Sequence, residues 1–424
     1  MNPYFDLMLT VHVRINDAAT AKPTPVRLRI SDEQGNHYPP LGRFVEFPAG
    51  RNEDVGGRVR LGRELWFYTD GSCEVPLPAE VPLRVQATKG FEYRPVDETV
   101  TLGPGKMALR FTIERTTDMK AKGWRSADGR CHFLPPHDAA LEAEAEGLDL
   151  VNLLAVEQRF PSLDGTAYRT VPHLAAFSGQ ADGIVPVNTL NVHPVLGKVG
   201  LLYSHRPVHP LTFGGEEPDD WSVCDWCDQC HRKGGLTVWV DAFKETAGPL
   251  GGEALVAAVL GKIDAIEVDA QPRKMPIWPW VHRMWNAGLA IPLVGSSGKD
   301  GNRTPLGAMR TYARCEGSLK SWVEAVKTGR TFVTNGPLDV DRFEPVAGVN
   351  WTAARFQDAS GAFAHTSPEF RITRRDPDAV THLIRCIEST REWIGTVGCF
   401  QQPKRKQNLL DRCSEAIAKL GTPP

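Results

Sequence analysis

No apolar run in this chain approaches the roughly 18–20 residues that a membrane-spanning helix needs. The stretch Met1 to Leu9 lacks the basic start and apolar core of a secretory signal. A cytoplasmic protein with no membrane partner is therefore expected. A surplus of one charge sign is lacking too. Lys plus Arg number 49 and Asp plus Glu 51, a formal net charge of −2, which argues against nucleic acid as a partner. Nothing repeats at a solenoid or propeller period. The nine cysteines are an odd number in a chain without a signal, so a disulfide framework is not expected. There is no GxxxxGK[ST], no GxGxxG opening a helix after a strand, and no GxSxG elbow. A nucleotide-driven enzyme and a Ser/His/Asp hydrolase are thus unsupported.

What is present is a long chain, 424 residues with 41% hydrophobic content. That is enough for a core and, at roughly 150 residues per domain, for two or three domains. Residues 1–118 read as a β-sandwich. Leu9–Ile15, Val26–Ile30 and Met107–Ile113 alternate apolar and polar residues, separated by turn formers such as Gly35-Asn36 and Asp70-Gly71.

From 119 to 340 apolar strand-like runs alternate with helical segments. Asp138 can cap a helix over Ala139–Glu146, ended by Gly147, and a buried strand follows over Leu148–Val156. Cys224–Arg232 reads as helix, Gly235–Val240 as strand, Gly252–Leu260 as helix and Ala265–Val268 as strand. His282–Ala287 reads as helix and Ile291–Gly295 as strand. Repeated β-α units of this size predict an α/β parallel sheet or (β/α) barrel. Residues 341–424 read as an irregular segment and a short helical tail. Leu383 and Ile387 mark the apolar face of one tail helix, Leu409, Cys413 and Leu420 that of the other.

In such a fold, chemistry sits at the C-terminal ends of strands. Polar residues gather there in the stretch from Asp128 to Asp138, which holds Arg130, Cys131, His132 and His137; at Asp241; at Glu267; and over Gly295–Asp300, which includes Lys299. Histidine and carboxylates from several strands would suit a divalent transition metal (Zn, Mn or Fe) that activates water for hydrolysis. The cluster Cys224-x2-Cys227-x2-Cys230-His231 has zinc-like composition. It sits on one helix with no second ligand pair, so packed, reduced cysteines are expected.

The segment Gly123–Leu134, with Gly123-Trp124-Arg125-Ser126-Ala127-Asp128-Gly129-Arg130-Cys131-His132, resembles the entry segment of the carbaryl-hydrolase-like metallohydrolases. These belong to the polymerase and histidinol phosphatase (PHP) superfamily. Asp225–Gly235, Lys262–Val268 and Gly329–Pro337 match further segments. The resemblance implies an N-terminal β-sandwich, a distorted PHP-type (β/α) barrel, and metal-dependent hydrolysis of an amide, ester or carbamate in a small-molecule substrate.

Carried over residue by residue, the family's H-x-H falls on Arg130-Cys131-His132, and an arginine has no lone pair to offer a metal. Ala181 stands where a glutamate is expected, Asp241 where a histidine is, and Ser297 and Lys299 where an aspartate and a histidine are. One reading keeps an altered, mononuclear hydrolase. His132, Asp241 and Glu267 would be ligands, His137, Asp128 and Arg130 catalytic, and Lys299, Asp300 and Cys131 would face the substrate. The other is a non-catalytic relative that binds a small anion through Arg130 and Lys299. A third makes Cys131 a metal-free nucleophile beside Arg130 and His132. Oligomeric state is left open.

Overall fold

A computed structural model describes residues 8–42, 55–103, 105–162, 165–180, 183–215, 218–244, 248–271, 276–337, 342–371 and 374–422. The fold is mixed α/β and dominated by sheet. The N-terminal strands are β1 (Met8–Asp17), β2 (Val26–Asp32), β3 (Arg58–Leu61), β4 (Glu64–Thr69), β5 (Ser72–Pro78), β6 (Pro82–Thr88), β7 (Tyr93–Arg94), β8 (Val96–Thr101) and β9 (Ala108–Arg115). They form two sheets, ordered β5–β1–β9–β7 and β3–β4–β2–β6–β8. Period-2 alternation explains the arrangement. Val11, Val13 and Ile15 of one sheet and Val26, Leu28 and Ile30 of the other point into the same core, while the residues between them remain at least partly exposed.

The second part runs β10 (Trp124–Cys131), α1 (Pro136–Ala145), β11 (Leu150–Ser162), β12 (Gly165–Val171), β13 (Val187–His193), β14 (Gly197–Leu202), α2 (Val223–Arg232), β15 (Leu236–Val240), α3 (Gly252–Val259), β16 (Ala265–Asp269), α4 (Trp278–Asn286), β17 (Leu293–Ser296), β18 (Arg310–Arg314), α5 (Leu319–Lys327) and β19 (Thr331–Thr334). Strands β15 and β16 are buried at every position, the mark of strands covered on both faces. They pair in parallel with each other, and β16 pairs in parallel with β17. Strand β10 is parallel to β11 and antiparallel to β18. The one sheet running from β17 to β10 curls back on itself. His132 N donates to Lys299 O at 2.7 Å and Gly298 N to Arg130 O at 3.0 Å, tying the end of β17 to β10. Gly129 permits this approach, since a Cβ there would lie 2.5 Å from Ser296 Oγ and Val294 Cγ1.

The segment expected to be irregular forms strands instead: β20 (Glu344–Ala347), β21 (Trp351–Gln357), β22 (Phe363–Thr366) and β23 (Glu369–Phe370). Strand β22 pairs with β19, so the sheet continues past residue 340. Position 338 to 341 of that segment lies outside the described residues. The chain ends in α6 (Pro377–Thr396) and α7 (Pro403–Gly421), the expected helical pair. Leu383, Ile387, Leu409, Cys413 and Leu420 are buried in the core that also holds α2, α3 and α4. Among the described residues no helix is long and apolar enough to cross a membrane.

Candidate functional site

The polar centre of the curled sheet is built on Arg130, the penultimate residue of β10. Its side chain is 8% exposed, and the guanidinium meets Glu267 of β16 with two nitrogens, Nε–Oε1 at 2.6 Å and Nη2–Oε2 at 3.1 Å. This two-point geometry fits a planar guanidinium to a carboxylate. Nη2 also lies 3.4 Å from Asp269 Oδ2 and 3.5 Å from Asp241 Oδ1. Asp241 follows β15 with a left-handed φ of 52°, a conformation that a non-glycine side chain adopts only when its surroundings hold it there. Lys244 Nζ bridges Asp241 Oδ1 at 3.0 Å and Asp269 Oδ2 at 2.5 Å, and Lys198 Nζ, from β14, lies 2.7 Å from Asp241 Oδ2.

His132 completes the cluster. Its Nδ1 faces Leu154 O at 3.1 Å, and a carbonyl only accepts, so Nδ1 carries the proton. Nε2 therefore presents its lone pair, and Arg130 Nη1 donates to it at 3.2 Å. Burial and the neighbouring Arg130 push the imidazole pKa down to about 3, so His132 is neutral. Burial opposes ionisation of Asp241, yet Arg130, Lys198 and Lys244 outweigh it and hold that carboxyl below its ordinary range. Burial likewise works against the charge on Arg130, and Glu267 and Asp241 more than restore it.

Asp241, Glu267 and Asp269 bring carboxylate oxygens within 4.8 Å of one another, the one such group among the described residues. These atoms do not fit a metal centre as they stand. The guanidinium is bonded to the imidazole lone pair and to both Glu267 oxygens, which are the donors a metal would use.

Of the residues expected at the site, Arg130, His132, Asp241 and Glu267 lie together, and the others lie elsewhere. Asp128 is fully buried and accepts from the backbone N–H groups of Arg130, Ser297 and Gly307 at 3.1, 2.9 and 2.8 Å, a structural role. Lys299 is 0% exposed and its ammonium faces Glu142 at 3.4 Å and Thr304 O at 3.1 Å, so it does not join Arg130. Cys131 is fully buried, with its thiol toward Asn152 O, and burial pushes its pKa well up, which leaves no ready thiolate. His137 is 81% exposed, 3.5 Å from Asp138 on the first turn of α1. Asp300 is exposed. Ala181 lies outside the described residues. Cys224, Cys227 and Cys230 are free and buried on α2, and His231 bonds Asp264 at 2.8 Å. His193 is buried against Asp219 at 2.9 Å.

The members not read in advance are Asp269, Lys198 and Lys244. Asp269 had a signal, since two residues after Glu267 on one strand puts both side chains on the same face. Lys198 and Lys244 had none, because only the pairing of β14 with β15 and the turn after β15 bring them to Asp241. No family model, no curated protein and no solved structure matches the chain.

Proposed function

We propose that this chain is a metal-independent, non-hydrolytic relative of the PHP-type metallohydrolases, with a β-sandwich followed by a distorted (β/α) barrel, and that it binds a small anionic ligand. One observation carries the reading: the guanidinium of Arg130 occupies the donors, His132 Nε2 and Glu267, on which a metal would depend. Arg130, with Lys198 and Lys244, supplies the positive charge that three carboxylates need, without the open coordination position that activates water. The cluster is layered by exposure. Glu267 and Asp269 side chains are 0% exposed and Asp241 16%, while Lys244 is 23% and Lys198 39% exposed. The outer layer is cationic, so an incoming anion meets ammonium groups first.

Elemental analysis of protein purified without chelator tests this. The expected result is no stoichiometric transition metal, and no ester or carbamate turnover gained on adding Mn or Zn. A stoichiometric metal that His132→Ala removes would sink the proposal.

A further inference from the structure

We propose a second binding site at the opposite end of β10, a cavity that takes a small organic anion with an apolar body. Arg125 and Arg130 are five residues apart, about 17 Å along a strand, so this site is separate from the Arg130 cluster. The cavity has a volume of about 370 Å³, within the range of small-molecule pockets. Its lining is of two kinds: Arg125 and Lys120 supply positive charge, and Ile184, Leu319 and Trp322 supply apolar wall, with the thiol of Cys315 beside them.

Three features point to an anion. Arg125 lines the cavity with no carboxylate in ion-pair range among the described residues; Nη1 donates only to the Lys120 and Trp124 carbonyls, each at 3.1 Å. Lys120 is loosely held, 62% exposed and 3.7 Å from Asp149, the single carboxylate in the lining. Two cations against one carboxylate leave a positive surplus. The start of α5, capped by Ser318 Oγ accepting from Ser321 N, adds the positive end of a helix at the same wall. Gly317, with φ of 106°, lets the guanidinium lie on this loop, since a Cβ there would sit 2.9 Å from Arg125 Nε. The apolar wall asks for more than an inorganic ion, and a planar aromatic carboxylate matches both halves of the lining.

The test is calorimetric titration of the whole protein with naphthalene-1-carboxylate, with inorganic phosphate as the comparison, together with iodoacetamide labelling of Cys315. Cys399, exposed and outside the cavity, is the internal reference. Binding is expected for the naphthoate and weaker or no binding for phosphate. With ligand at about ten times its Kd, labelling of Cys315 slows about tenfold while Cys399 is unaffected. Arg125→Met and Lys120→Met each weaken binding about tenfold or more, the usual loss for a charge-assisted bond. Lys120 is largely exposed, so its variant folds even if Arg125→Met does not. No binding by the folded protein overturns the proposal. So does binding that leaves Cys315 labelling unchanged, or a Kd indifferent to Lys120→Met.

Discussion

Arg130 shows how one residue type changes what a site can do. A buried carboxylate costs several kcal/mol unless paired, and here Asp241, Glu267 and Asp269 are paired with Arg130, Lys198 and Lys244, three charges against three. The network is neutral overall, with its carboxylates innermost and its ammonium groups at the rim. A second buried pair behaves differently. Glu142 on α1 has Lys299 at 3.4 Å and Gly57 N at 3.0 Å, and burial pushes its pKa up to about 7 despite Lys299. A carboxyl whose folded pKa is raised binds more protons folded than unfolded. Stability is then highest below its unfolded value near 4.5 and falls as pH rises toward about 7. Denaturant melts across that window should show the slope, and Glu142→Gln should flatten it; an unchanged slope would remove Glu142 as its source.

At the scale of elements, the helical tail is a clamp on α2. Arg412 of α7 donates to Ser222 Oγ and to Asp225 Oδ1, each at 2.6 Å, and Arg405 reaches Asp225 Oδ2 at 3.1 Å. Glu253 of α3 accepts from Ser222 Oγ and the N–H groups of Val223 and Cys224, so the start of α2 is satisfied from two helices. Arg412→Ala removes two charge-assisted bonds and is expected to cost about 2–4 kcal/mol, read by urea unfolding. A loss under 0.5 kcal/mol would mean that apolar packing alone docks the tail.

Several of the helices and strands were legible in the sequence because their periodicity is local. Gly235–Val240 and Ala265–Val268 read as strands, and β15 and β16 form over Leu236–Val240 and Ala265–Asp269. The first helix was less so: it starts at Pro136 with proline in its first turn, and Asp138 lies inside it rather than capping it. Strands β13 and β14 escaped the reading. Buried asparagines break the apolar pattern of β13, and most of their partners lie far along the chain: Asn188 accepts from Tyr203 N and donates to Asn152 Oδ1, and Asn191 donates to the Val208 and Pro210 carbonyls while accepting from nearby Thr189 Oγ1. Strands β20 and β21 lack alternation because most of their residues remain at least partly exposed.

At the scale of the whole molecule, the two-sheet region is joined to the curled sheet through α1. Glu146 is 3% exposed and takes Arg27 Nη1 and Tyr68 OH on the same oxygen, both at 2.8 Å. Lys89 donates to Glu144 O at 2.6 Å across the same junction. Scanning calorimetry should therefore show one cooperative transition, and Glu146→Ala, which leaves a buried guanidinium unpaired, should lower it by about 3 kcal/mol or split it in two. Two transitions in the unaltered protein would show that the junction does not couple the parts.

The sequence by itself determined the alternating N-terminal strands, several of the later strands and helices, and which few polar residues lie near strand ends, because these follow from spacing along the chain. Arg130, His132, Asp241 and Glu267 were within its reach for that reason. It could not decide which cation each carboxylate holds. That choice was made by the curling of the sheet, which sends Lys299 toward Glu142, carries Lys198 and Lys244 to Asp241, and seats the guanidinium of Arg130 on His132 and Glu267. Electrostatic pairing acts over a few ångströms in space, and only the tertiary fold sets those distances.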